Sequence, residues 1–487
     1  MFLGLDLGTG SVKALLMSET GAVLGEASAP YSVNAPHPGW AESSPEEWWE
    51  AVAGAVRDAA GSHGARVAAI GLSGQMHGVV LSDASGRPLR PAILWADTRS
   101  REQLDDYRRL DEGLRRRLAN PPATGMAGPS LLWLRGHEPE TYDAARWALQ
   151  PKDWLRLRLT GETAAEPSDA SATLLYDLES GGWSDEAAHA LGLRTDHLAP
   201  LVGSAETAGT LTSKAAEHLG LPVGLPVAAG AADTAAAILG AGLPGPSEPP
   251  QLTVGTGGQI VALRDRPAPD PRERIHLYRT AWEPAGRFYS MAAIQNSGLA
   301  LEWARKVLGA SWKDVYQEAF DVPPGAEELL FLPYLSGERT PHFDPDARGA
   351  WAGLGLNHDR GHLLRAALEG VAFALREGLE ALEATGIHAP ELRLAGGGAT
   401  EELWQQLLAD VLGRPLRILP DPASSSASAR GAAILAGLAS GAYETSEDVL
   451  KLAPELQQTI LPGPDSRLYE DSYSRFLELY PRLHGQH

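Results

Sequence analysis

Two stretches far apart in the chain share one layout: FLGLDLGTGSVKALL from Phe2 and QLTVGTGGQIVAL from Gln251. Each reads as strand, tight Gly-Thr-Gly turn, strand, because apolar runs flank residues that favour turns. A repeated β-turn-β element points to duplication, and so to two similar domains with a cleft between them. Two unrelated domains with coincident turns remain the alternative on spacing alone. At 487 residues the chain exceeds one ordinary core, which agrees with two domains. The stretch GAGLPGPSEPPQ from Gly240 is dense in Gly and Pro and reads as the linker, which sets the domains at 1–240 and 250–487.

The elements around the turns define the fold class. Runs at Phe2–Leu7, Val12–Met17 and Ala22–Ala27, separated by Gly8-Thr9-Gly10 and Glu19-Thr20-Gly21, predict an antiparallel meander. Ser44, Pro45 and Glu47 predict a helix start with a capping box ahead of Trp48-Trp49. VAAIGLSG from Val67 predicts a buried strand. Three antiparallel strands, a helix and a further strand form the opening of a ribonuclease-H-like unit. The segment ELRLAGGGATEELWQQLLADVLG from Glu391 repeats strand, Gly turn and amphipathic helix in the second half. The fold class expected is therefore α/β.

Composition narrows the function. Zero cysteines remove disulfides, thiolate nucleophiles and thiolate metal sites. A net charge of −21 argues against nucleic-acid backbone or an anionic membrane as partner. The start Met-Phe-Leu-Gly lacks a basic leader region and no apolar run is long enough to span a bilayer, so a cytoplasmic location is expected.

Asp6 interrupts an apolar strand beside the first turn, and a buried carboxylate needs a partner. The turn is neither a P-loop nor a dinucleotide fingerprint: Lys13 stands three residues past the second Gly, and no third Gly opens a helix. Backbone amides in the turns at Thr9-Gly10 and Thr256-Gly257 can cradle phosphate oxygens without basic side chains. Asp6 would then hold a hard divalent cation, Mg²⁺, largely through water. Its other reading is an Asp bonded to its own turn amides. Asp233, in LPVAAGAADTAAAILGAG, falls at the end of a strand-like run from Leu221 to Ala229 and the start of a helix. It reads as an N-cap, or as a general base taking the proton of an attacking hydroxyl.

GLSGQMHG, RPAILWADTRS, PKDWLRLRLTGE, PSDASAT, AAGAADTAAAILGAG, FLPYLSGERTPH and LAGGGATEELWQQLLADVLG together resemble the xylulokinase branch of the FGGY carbohydrate kinases. GAWAGLGLNHDRGHLLRAALE from Gly349 also fits that family's second signature, and the resemblance spans essentially the whole chain. It implies the actin-like ATPase fold, two ribonuclease-H-like domains around a cleft that takes sugar and ATP. It implies phosphorylation of D-xylulose to D-xylulose 5-phosphate, with Asp233 as base and Asp6 as the Mg²⁺ acid, Asp233 sharing that metal through water. Met76, His77, Trp95 and Asp97, with Asp233, would contact the sugar. Thr9, Gly10, Thr256, Gly257, Gly298, Gly397 and Gly398 would line the nucleotide site. Taken alone, Met76 reads as core filler, His77 as a satisfied loop histidine, Asp97 with Arg99 as an ion pair, and Gly397-Gly398 as a helix-entry turn. The chain departs from the family at Ser130, where a Lys is common, and at Glu401, where Ser or Asn is common. A homodimer is implied by the family only. The alternatives are a kinase for ribulose, gluconate or glycerol, and an actin-like ATPase serving as chaperone or filament protein.

Overall fold

The computed structural model describes residues 1–243, 245–285, 287–420 and 425–485. The first sheet begins as an antiparallel meander of β1 (Phe2–Leu7), β2 (Ser11–Met17) and β3 (Val23–Pro30). The chain then crosses over through α1 (Pro45–Ala60) to β4 (Ala69–Gly74), which lies parallel to β1. Further on come α2 (Pro151–Thr160), α3 (Pro167–Ala170), β5 (Thr207–Thr210), β6 (Pro226–Ala228) and β7 (Ala231–Ala232). The sheet order is β5-β6-β4-β1-β2-β3, with β7 also paired to β4.

The first half closes on α4 (Asp233–Gly240), and the second half forms its own sheet. Its strands are β8 (Gln251–Val254), β9 (Gly258–Arg264), β10 (His276–Arg279) and β11 (Phe288–Ile294). After α5 (Gly298–Val307) and α6 (Arg360–Glu383) come β12 (Leu392–Ala395), α7 (Glu402–Leu412), β13 (Leu416–Ile418), α8 (Ala427–Ala439) and β14 (Thr459–Ile460). The order is β10-β11-β9-β8-β12-β13-β14.

The two sheets share a plan. In the first, β3-β2-β1-β4-β6 reads antiparallel, antiparallel, parallel, parallel. In the second, β11-β9-β8-β12-β13 reads the same way. Each Gly-Thr-Gly turn joins the corresponding antiparallel pair. Turn chemistry and alternation fixed these hairpins locally, and the shared order is what a duplicated unit requires.

Two local expectations are corrected, and a third passes outside the described residues. Ser44 makes no side-chain capping bond, and Glu47 instead accepts from the Ser32 amide at 3.1 Å, so no capping box forms. The strand read from Leu221 to Ala229 is confined to β6, because Gly224 at φ 81° breaks the extended backbone. The linker read from Gly240 passes through Pro244, which lies outside the described residues.

Small residues set the packing between halves. α8 comes from the C-terminal half yet lies on the first sheet against β1 and β4. Its backbone comes so close that a Cβ at Gly4 would sit 1.9 Å from Ala429 O, and one at Gly71 1.8 Å from Ala432 O. α4 and α8 meet equally tightly, with Gly240 against Ala427 O and Gly431 against Ala236 O. One buried cluster consequently runs from Phe2 and Leu15 through Ala236 and Ala433 to Val261 and Met291, joining both sheets.

Candidate active site

Between the sheets lies a cavity of about 480 Å³. Both turns reach it, with Thr9 on one side and Thr256 and Gly257 on the other, and Met76, His77, Trp95 and Asp233 share its wall. Seven of the residues singled out in the sequence are thus brought together from five separate segments.

Asp233 is the first residue of α4, following β7, and β7 is held in register by β4: Ala232 pairs with Gly74. It does not cap its helix. Its Oδ1 accepts from the adjacent Thr234 amide at 2.5 Å and from Thr234 Oγ1 at 3.2 Å, and the N-cap position belongs to Ala232. Burial pushes its carboxyl up to about 7, and the charge of Asp6 adds to the rise against the two Thr234 bonds. A carboxyl with that value exchanges protons near neutrality, which is what a general base needs.

Asp6 stands in β1 between Lys13 on β2 and Ser73 on β4. Ser73 Oγ donates to Asp6 Oδ1 at 2.9 Å. Burial holds the Asp6 carboxyl above its usual range, and the Ser73 bond and Lys13 charge offset only part of this. The Lys13 ammonium is drawn away from the strand pair: it donates to Ser425 O at 2.8 Å and lies 3.3 Å from Glu26. Among the described residues Asp6 makes no ion pair, and it is not on the cavity wall.

His77 has φ 72°, a left-handed conformation that a non-glycine residue adopts only where the surroundings impose it. Its Nδ1 bonds Ala172 O at 2.8 Å, which requires the proton on Nδ1 and leaves Nε2 as an acceptor. Burial, reinforced by Arg339, lowers its pKa to about 4, so the ring is neutral at pH 7. Met76 Sδ takes a weak bond from Tyr289 OH at 3.9 Å. Trp95 Nε1 donates to Thr9 Oγ1 at 2.8 Å and ties this wall to the first turn.

Asp97 lies elsewhere. Both its oxygens are engaged by the Arg99 guanidinium at 2.9 and 2.7 Å, and Oδ2 also accepts from the Ala41 amide at 2.6 Å. Fully buried and off the cavity wall, it forms a loop-locking ion pair, which is the other reading its sequence offered beside the sugar site. Arg339 went unremarked in the sequence although it lies inside the GERTPH motif. It lines the cavity, with its guanidinium 5.1 Å from the centre of the Trp95 ring.

Each turn spends one amide on itself, Gly8 N to Ser11 O at 3.0 Å and Gly255 N to Gly257 O at 2.9 Å. Gly10 is not on the wall; its carbonyl accepts from the Tyr31 amide at 3.1 Å. Gly298, also off the wall, braces the second turn from outside. Its amide donates to Gly255 O at 3.0 Å, and a Cβ there would come within 2.4 Å of that oxygen. Gly397 and Gly398 lie in the turn between β12 and α7, away from the cavity wall, with Gly398 close over Val254 O. Among the described residues no group of three or more His, Cys, Asp or Glu is arranged to hold a metal ion. Two carboxylates beside phosphate-ready turns still suit Mg²⁺, which keeps most of its waters and takes its remaining ligands from phosphate. Ser130 is buried in the helix Ala127–His137 with its hydroxyl unpartnered, and nothing in the structure gives it a role.

Two sheets of one plan, joined by packed helices around a cleft with an acid on its wall, define the actin-like ATPase fold of a two-domain phosphotransferase. The chain belongs to the FGGY family of carbohydrate kinases: that family's N-terminal domain matches residues 1–240 and its C-terminal domain residues 251–440. It is 36% identical over 488 residues to a xylulose kinase of Escherichia coli strain K12, covering 100% of this chain and 99% of that one. A solved xylulose kinase from Brucella ovis superposes with a TM-score of 0.91 at 36% identity, covering 99% of both chains. A gluconokinase of Bacillus subtilis is 31% identical over 471 residues, covering 92% of this chain and 89% of that one. Among the described residues, no helix is long and apolar enough to cross a membrane.

Proposed function

We propose that this chain transfers the γ-phosphoryl group of ATP to D-xylulose, releasing ADP and D-xylulose 5-phosphate. The observation that carries the reading is Asp233, a buried carboxyl lifted to about 7 on the wall that both Gly-Thr-Gly turns share. Ionised Asp233 takes the proton of the terminal sugar hydroxyl as that oxygen bonds to the γ-phosphorus, and the bond from phosphorus to the β–γ bridging oxygen breaks. Amides of the Thr9-Gly10 and Thr256-Gly257 turns receive the phosphate oxygens. Mg²⁺, held through water by Asp6 and Asp233, would supply charge against the triphosphate. His77 Nε2 accepts from a sugar hydroxyl, Met76 and Trp95 shape the pocket, and Gly397-Gly398 leaves room for adenosine close to the backbone.

A second reading has one observation in its favour. Arg339 is a cation on the wall of the sugar pocket, and the carboxylate of an aldonate such as gluconate would pair with it. D-Xylulose stands first because full-length relatives at the higher identity are xylulose kinases. The test is ADP release against D-xylulose, D-ribulose, D-gluconate and glycerol. The highest kcat/KM is expected for D-xylulose, with glycerol weakest. Gluconate equal to or better than xylulose would move the assignment to an aldonate kinase.

A further inference from the structure

The stretch PKDWLRLRLTGE, and PSDASAT with Glu166 just before it, take no part in the chemistry above, yet they carry five ionisable side chains into the interior. Lys152, Asp153, Arg156, Glu166 and Asp169 are all fully buried. Lys152 Nζ lies 2.7 Å from Asp153 Oδ1, 3.1 Å from Glu166 Oε1 and 3.0 Å from Asp169 Oδ2. Such a cluster is seldom more stable than apolar side chains of the same volume, so its value lies in what it holds in place.

Glu166 is the collecting point. It accepts from the amides of Ser168 at 2.8 Å and Asp169 at 2.9 Å, from Ser204 Oγ at 2.6 Å and from Ser168 Oγ at 2.8 Å. Burial alone would raise its carboxyl, but Lys152 and the two serine hydroxyls outweigh that and hold it below the usual range. The Ser168 proton is thereby committed to Glu166, which leaves an oxygen lone pair to accept from the Ala232 amide at 3.0 Å. Ala232 immediately precedes Asp233. At the other end of the same short segment, Arg156 Nη1 donates to Ala229 O at 2.5 Å.

We propose that Ser168 is the positioning residue for Asp233: its hydroxyl, oriented by Glu166 and Lys152, fixes the backbone that presents the carboxylate to the sugar hydroxyl. β7 supplies only two paired residues, too short a strand to define that direction alone. The proposal rests on the reading of Asp233 as the base, and an error of about 1 Å in a catalytic group costs on the order of 100-fold in rate.

The test compares Ser168→Ala with Ser204→Ala. Each removes one hydroxyl donor from Glu166, but only the first leaves the Ala232 amide without an acceptor. Ser168→Ala is expected to lower kcat roughly ten- to hundredfold, with KM for D-xylulose and for ATP changed less than about twofold and the protein folded by circular dichroism. Ser204→Ala is expected to keep kcat within about threefold. Equal losses in the two variants, or an unchanged kcat in Ser168→Ala, would overturn the proposal. Should the alanine variant fail to fold, Ser168→Cys, with a similar volume and a poor acceptor, is read by the same criteria. Asp233→Ala measured alongside separates the two claims: if it retains turnover the base assignment itself fails, whereas an inactive Asp233→Ala with a fully active Ser168→Ala sinks the positioning role alone.

Discussion

Asp6 acts on Asp233 through its charge, and that makes their relation measurable. Burial is the larger cause of the high Asp233 pKa, and Asp6 the second. The base works only when ionised, so kcat/KM of the native protein is expected to fall as pH drops through about 7. Asp6→Asn keeps the shape and removes the charge. Asp233 then ionises at lower pH, so the acidic limb of the residual activity should move to lower pH while its Mg²⁺ dependence weakens. A pH–rate profile of both proteins checks this. An unmoved limb would mean that Asp6 does not act electrostatically on the base. The sequence made Asp6 visible as an acid interrupting an apolar strand and left Asp233 as either a helix cap or a base; with Ala232 at the N-cap and the carboxylate bonded to Thr234, the cap reading falls away.

At the level of elements, the close approach of α8 to the first sheet depends on glycines in β1 and β4. Gly71→Ala would drive a methyl to 1.8 Å from Ala432 O, and α8 must move to admit it. Overpacking of this kind costs about 1–3 kcal/mol or more, and urea unfolding should report a fall of at least that size. Gly54 in α1 is the contrast, since a Cβ there meets nothing within 4 Å. In mid-helix, Gly54→Ala is expected to stabilise by about 1 kcal/mol. A Gly71→Ala protein as stable as the native one would show that α8 is not seated on the sheet as described.

For the molecule as a whole, the contact between halves includes a side chain that imitates a strand. Asn120, from the N-terminal half, accepts from the Leu277 amide at 2.9 Å and donates Nδ2 to Leu277 O at 2.8 Å. Leu277 lies in β10, the edge of the second sheet, so Asn120 covers an edge that would otherwise offer unpaired groups. Beside it, Ser171 Oγ accepts from the Arg279 amide at 3.0 Å. Asn120→Ala leaves two buried polar groups of Leu277 unpaired at about 1–3 kcal/mol each. A lower midpoint in chemical denaturation is expected, and an unchanged midpoint would mean that water replaces the amide there.

The paired hairpins and their Gly-Thr-Gly turns were legible in the sequence, because turn chemistry and alternation act over a few neighbouring residues. So was the α/β class, and so were Thr9, Met76, His77, Trp95, Asp233, Thr256 and Gly257 as candidates for one site. What the chain alone left open depends on partners distant in sequence. Whether Asp97 faced a sugar or Arg99 turned on the position of the Ala41 amide; whether Asp233 capped a helix turned on Ser168, Ala232 and a two-residue strand. Arg339 shows the same limit, since a cation in a loop gains its meaning only when Trp95 is folded against it. Local residues set which elements form, and tertiary packing decided which of their polar groups were already satisfied and which were left for a substrate.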